Sequence, residues 1–361
     1  MSNDQDVFAS GIIKFGDKLH YPEPNFVLKH LYHPDTEVAL EKVRAADWPC
    51  IEAFYKNKRA AETYHNQRLP LWFSLACPTA LSDRVFWTMQ MGDLLTLMDD
   101  HFSNPHVINS PDRLQEIEKI YIAALDGIRP SDLHPVGQLF HDNIQHMLNT
   151  LSLNPPARQR LYDAAYKLIM ALSHPLVRHI QTLTLEEYLV FRRYDVFIDI
   201  CATIIEFAID VDMGDALETS EDLRQARLAM MDGVLITNDI GSFRKEFSSN
   251  EAMNSLWVFV YQEKLDVQGA LYRAFELTRQ LEQDLIAARD RVLASPLGGR
   301  TDVQRYLTAL EYMFSGNIEY NSISPRYIGP DAKGAFHSGE IVLEQFRMPV
   351  HIAGENFLAD E

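Results

Sequence analysis

The chain has 361 residues, 47% of them hydrophobic, enough to build one large core or two ordinary ones. Its 33 basic and 51 acidic side chains give a formal charge of −18. That balance argues against non-specific binding to nucleic acid or anionic membranes, but not against a polyanionic ligand held through metal ions.

Pro34-Asp35-Thr36 opens an amphipathic helix predicted over Glu37 to Lys58. Leu81 to Phe102 is a long apolar pattern without proline. Ser110-Pro111-Asp112 starts a helix toward Leu125, stopped by Gly127 and Pro130. Helical periodicity then covers Pro135 to Leu151, Pro155 to Leu172, Leu185 to Val211 and Ser220 to Phe247. Asn250 to Tyr261, Val267 to Leu293 and Asp302 to Asn317 complete the series. Runs of period two are scarce, and no hairpin turn separates two strand-like runs. The expected fold is all-α, a single helical domain over residues 1–361. The N-terminal ~20 residues and the tail after about 327 are expected to be mobile in part, the tail as loop.

Cys50, Cys77 and Cys201 form no CxxC pair or disulfide framework. No stretch reaches the roughly 18 apolar residues of a membrane span, and the start at Met1-Ser2-Asn3-Asp4 is unlike a signal peptide. A soluble cytoplasmic protein without stable membrane association is the expectation.

Within Asn238-Asp239-Ile240-Gly241-Ser242-Phe243-Arg244-Lys245-Glu246, three oxygen-bearing side chains recur every fourth residue. On a helix that spacing drifts only ~40° per step, so Asn238, Ser242 and Glu246 share one face. An amide oxygen, a hydroxyl and a carboxylate suit a hard cation such as Mg²⁺, which also keeps water or phosphate oxygens. Arg244 and Lys245 beside the row suit a phosphate on that cation. A second acidic pair, Asp99-Asp100, ends the apolar pattern from Leu81. Carboxylates there are costly to bury without a cation.

Together the two segments resemble class I terpene synthases (terpene cyclases) of the microbial single-domain type. That family carries an Asp-rich motif facing an Asn/Asp-Asp-x-x-Ser/Thr-x-x-(Lys)-Glu motif. Asn238, Ser242, Lys245 and Glu246 match the second motif fully. The first is matched by Asp99 and Asp100 alone, with Ser103 and Asn104 where a third acid often stands. Glu187-Tyr188-Leu189-Val190-Phe191-Arg192-Arg193 is similar to the segment bearing a diphosphate-sensing arginine, with Arg192 and Arg193 both open for that role. Asp195 and Val196 follow where the family's helix breaks. Ser324-Pro325-Arg326-Tyr327 resembles the Arg-Tyr pair that closes over the diphosphate, and Tyr320 stands where Trp is frequent. His33-Pro34 and Trp48 extend the match, so it spans about Tyr21 to Tyr327.

The resemblance implies the class I terpenoid synthase helical bundle. It also implies a carbon–oxygen lyase of isoprenoid biosynthesis that ionises a linear prenyl diphosphate, farnesyl or geranylgeranyl, and cyclises the cation to a hydrocarbon or alcohol. Three Mg²⁺ ions are implied, with Mn²⁺ as a substitute, on Asp99 and Asp100 to one side and Asn238, Ser242 and Glu246 to the other. Arg192, Arg193, Lys245, Arg326 and Tyr327 would bind diphosphate. Asn104 would hydrogen-bond behind the metal ligands. Trp72, Phe73, Trp87, Phe191, Phe197 and Tyr320 are the aromatic candidates for facing the cation, Phe191 and Tyr320 foremost. Arg192, Phe191 and Tyr320 are thus the catalytic candidates. Monomer and homodimer stay open, as do substrate length and product skeleton. A chain-elongating prenyl diphosphate synthase should carry two DDxxD motifs. A non-catalytic helical binding protein derived from a cyclase would account for the shortened Asp-rich motif.

Overall fold

A computed structural model describes residues 12–174, 179–328 and 339–343. The tail beyond 328, apart from 339–343, and residues 1–11 lie outside the described residues, as does the side chain of Asp195.

The first half of the chain forms α1 (Thr36–Tyr55), α2 (Lys58–Asn66), α3 (Leu71–Ala76), α4 (Val85–Ser103), α5 (Pro105–Ile108), α6 (Pro111–Leu125), α7 (Pro135–Thr150) and α8 (Pro155–Ser173). Then follow α9 (Leu185–Asp195), α10 (Ile198–Ile209), α11 (Gly214–Thr219), α12 (Glu221–Ser249), α13 (Ser255–Glu263), α14 (Val267–Ala294), α15 (Thr301–Ile323) and α16 (Pro325–Ile328). Proline takes the first position of α5, α6, α7 and α8, where its missing N–H costs no hydrogen bond. Asn154 and Ser220 cap α8 and α12 with side-chain oxygens. Thr184 and Glu187 form a reciprocal capping box on α9.

Several boundaries differ from the periodicity. The helix predicted to Lys58 ends at Tyr55, because Lys56 turns left-handed and Asn57 caps a new helix. The pattern over Leu185 to Val211 is broken at Phe197, whose φ is 61°, as the resemblance implied. The segment predicted to be helical from Asn250 begins helix only at Ser255. Asn250 (φ 58°) closes α12, and Asn254 caps α13 with its own side chain. The short helices α2, α3, α5, α11 and α16 carry too few turns to show a period.

α12 is the central element, packed most extensively on α14 and α15. Ile236, Ile240, Phe243 and Phe247 give one side of it to a core shared with α13 and α14. Met230, Met231, Val234 and Leu235 join the other core, built with α4, α10 and α15. Close approach of α15 requires glycine on α12: a Cβ on Gly241 would stand 2.7 Å from Asn321 Oδ1.

The tail expected as loop supplies a strand. β1 (Lys18–His20) and β2 (Glu340–Val342) pair antiparallel, with Leu19 opposite Ile341. Leu19 and Ile341 bury against the cluster that holds Phe243 and Phe247. Three-residue strands lie below the length at which alternation is visible, and the partner is remote in sequence. Among the described residues no helix is long and apolar enough to cross a membrane.

Candidate active site

A cavity of about 440 Å³ is walled by α4, the α9–α10 break, α12, α15 and α16. Asp99, Arg192, Asn238, Ser242, Lys245 and Glu246 line it, together with Arg326 and Tyr327. Leu69, Trp72, Phe73, Phe197, Cys201 and Tyr320 make apolar wall. A polar set and an apolar pocket therefore share one space.

The α12 wall is the more completely built. Asn238 Nδ2 donates to the Tyr327 hydroxyl at 3.0 Å, so its amide oxygen is the atom left for a cation. Ser242 Oγ is buried and has no hydrogen-bond partner among the described residues. A hydroxyl left so would cost ~1–3 kcal/mol, which a cation bound there would recover. Glu246 accepts from Asn254 Nδ2 at 2.8 Å. Burial pushes its carboxyl up to about 7, against the pull of Lys245 and Arg192. Burial opposes the charge of Lys245, yet Glu251 and Glu246 hold its ammonium above the usual range.

Behind this row stands Asp239, fully buried and turned away from the cavity. It accepts from Tyr188 Oη (2.6 Å), Arg192 Nη2 (3.0 Å) and the Ser255 amide (3.0 Å). Arg192 Nε also donates to Tyr188 Oη at 3.1 Å. Asp239 and Tyr188 thus fix the arginine at the cavity edge. Neither role follows from the two motifs, although Tyr188 stands four residues before Arg192, a spacing that places both on one helix face. Arg193, one position on, points elsewhere: its fork binds both oxygens of Asp232 at 2.6 and 2.8 Å, outside the cavity. Of the two candidate sensors, Arg192 is the one at the cavity.

The α4 wall is sparser. Asp99 lines the cavity, but Asp100 does not. Asp100 Oδ2 accepts from the Tyr55 hydroxyl at 2.5 Å, because consecutive helical side chains diverge by ~100°. Asn104 does not back the metal ligands: its Oδ1 accepts from the His106 amide and caps α5, while Ser103 is exposed. Arg326 Nη1 donates to Gln67 Oε1 at 2.8 Å while lining the cavity. Phe191 is not among the lining residues, since it stands ~100° from Arg192 on α9. Trp87 is likewise elsewhere, stacked on His146 at 3.9 Å between centroids. Of the aromatic candidates Trp72, Phe73, Phe197 and Tyr320 reach the cavity. Trp72 is held by its indole N–H to Asn317 Oδ1 at 2.8 Å, and Asn317 donates in turn to Thr237 at 2.5 Å.

Among the described residues no three His, Cys, Asp or Glu side chains come together as a metal group. The oxygen donors are spread over two walls, and on α12 two of them are neutral. The orphaned Ser242 hydroxyl between Asn238 and Glu246 fits a hard cation.

The family model for "Terpene synthase family 2, C-terminal metal binding" matches residues 90–284, which contain both walls' acidic motifs. The chain belongs to the class I terpene synthase family. Microbial terpene synthase-like protein 13 of Selaginella moellendorffii is similar to this synthase, 23% identical over 73% of this chain and 75% of the relative. The (E)-2-epi-beta-caryophyllene synthase of the same organism is also 23% identical, over 77% of this chain and 76% of the relative. Among solved structures, aristolochene synthase from Penicillium roqueforti superposes with a TM-score of 0.72 at 20% identity, covering 84% of this chain and all of that one. At that identity the likeness shows the shared helical fold.

Proposed function

We propose that this terpene synthase is a Mg²⁺-dependent cyclase of a linear prenyl diphosphate, farnesyl or geranylgeranyl. The observation that carries the reading is the unpartnered, buried Ser242 hydroxyl, flanked by Asn238 and Glu246 in a cavity with Asp99 and Arg192. Asp99 would hold metal from α4, and Asn238, Ser242 and Glu246 from α12. When bound, the metal supplies charge neutralisation for the leaving diphosphate. Arg192, Lys245 and Arg326 offer fixed donors to diphosphate oxygens, and Tyr327 orients Asn238. Asp239 and Tyr188 keep the Arg192 fork in place. Trp72, Phe73, Phe197 and Tyr320 fold the hydrocarbon, exclude water and present π faces to a carbocation.

Incubation of the purified chain with Mg²⁺ and each prenyl diphosphate, followed by analysis of a hexane extract and the aqueous phase, tests this reading. A cyclic hydrocarbon or terpene alcohol with release of diphosphate is the expected result. A longer diphosphate formed only with isopentenyl diphosphate would replace cyclisation by chain elongation. No turnover of any substrate would refute the enzymatic reading.

A further inference from the structure

Lys245 is a buried ammonium whose partner in the structure is Glu251: Nζ stands 3.3 Å from Oε2, with 11% of the lysine side chain exposed and 44% of the glutamate. A buried cation is costly without a counter-charge. Glu251 is positioned for that task by a turn stitched to the same helix. Asn250 ends α12 in the left-handed region with φ 58°, and the Glu251 amide returns to the Glu246 carbonyl at 2.9 Å. Ser249 Oγ donates to Glu251 Oε1 at 2.6 Å. Asn254, four residues after the cap, donates from Nδ2 to the Asp239 carbonyl and to Glu246 Oε2, both at 2.8 Å. Glu251 itself lines the cavity with Lys245, Glu246 and Arg326.

We propose that Glu251 is a positioning residue that neutralises Lys245 in the ligand-free enzyme and that an incoming diphosphate displaces it. The inference rests on the diphosphate reading above. Carboxylate and diphosphate carry the same sign and compete for one ammonium. Of the two ion-pair partners the half-exposed carboxylate is the one that can turn to water, giving up its Lys245 and Ser249 contacts for solvent, whereas the lysine would stay desolvated. The pair therefore keeps Lys245 charged and aimed into the cavity before substrate arrives, at a cost in substrate affinity. A polyanion repays that exchange and an uncharged prenyl alcohol does not, so the pair also favours the diphosphate class.

The test uses the full chain, Mg²⁺ and inorganic pyrophosphate in titration calorimetry, with steady-state kinetics beside it. Glu251→Gln should bind pyrophosphate about three- to tenfold tighter than wild type and lower KM more than it changes kcat. In a Lys245→Met background the same substitution should have no effect, which separates a direct pair from the general field of the cavity. Glu251→Ala replaces Glu251→Gln if the latter does not fold. Unchanged or weaker pyrophosphate binding in the Glu251 variant, or equal tightening without Lys245, overturns the proposal while leaving the diphosphate reading intact. A wild-type chain that binds no pyrophosphate with Mg²⁺ overturns both.

Discussion

The two walls of the cavity are built on different logic. On α12 the three oxygen donors follow one another at every fourth residue, and a buried layer of Asp239, Tyr188 and Asn254 fixes the groups around them. On α4 the two acids are adjacent, so the helix sends them in different directions: Asp99 to the cavity and Asp100 to Tyr55. A motif spaced by the helical period works as a unit, whereas a doublet offers one group to a site and one to its surroundings.

The difference can be broken experimentally. The largest effect should come from Asn238→Ala or Glu246→Gln, with turnover falling on the order of 100-fold or more and Mg²⁺ affinity falling with it, by product assay and calorimetry. Retained turnover in either would remove that side chain from the ligand set. Asp99→Asn should approach the same loss, while Asp100→Asn should cost about tenfold or less, because it loosens a hydrogen bond to Tyr55 and removes no cavity carboxylate. Equal losses at the two positions would contradict the asymmetry. Asp239→Asn should act through Arg192, lowering turnover about 10- to 100-fold and stability by roughly 3 kcal/mol in urea denaturation, since the guanidinium loses its buried counter-charge.

The smallest effect concerns the middle of α4. Asp47 on α1 and Asp93 on α4 are both buried, and Gln90 Nε2 donates to Asp47 at 2.5 Å. Burial lifts Asp47 to about 7, and burial together with Asp47 pushes Asp93 well above the carboxylate range. Folded values above the unfolded ones mean that the pair's contribution is greatest below about pH 4 and is lost as pH rises toward 7. Asp47→Asn/Asp93→Asn should therefore flatten the decline of the thermal midpoint over that interval, measured by circular dichroism. A decline as steep as wild type would assign it to other groups.

The long helices and the α12 row were legible because both express one local period over many residues. Arg192 and Arg193 were not separable by sequence, because the acids that divide them, Asp239 and Asp232, lie on another helix. For the same reason Tyr55 could not be foreseen as the partner of Asp100. Phe191 failed as an aromatic wall through a single step of helix phase. Asn104 already held a cap position before Pro105, a local cue that the family comparison obscured. The turn from Asn250 to Asn254 was hidden within an apparent helix, although two asparagines bracket it.

The β1–β2 ladder imposes an order of events on synthesis. Lys18 and Glu340, joined by an ion pair at 2.8 Å, are separated by 322 positions in sequence. Among the first described residues to leave the ribosome, β1 has no strand to pair with until almost the whole chain has been translated. Until then Leu19 lacks the ladder that holds it against α14 and the cluster shared with α12 and α13. The cluster shared by α12, α13 and α14 thus receives Ile341 and Leu343 only after all three helices are made. A chain stopped before Gly339 would bring α12, α13 and α14 out intact and leave Leu19 without the strand that holds it on their shared cluster.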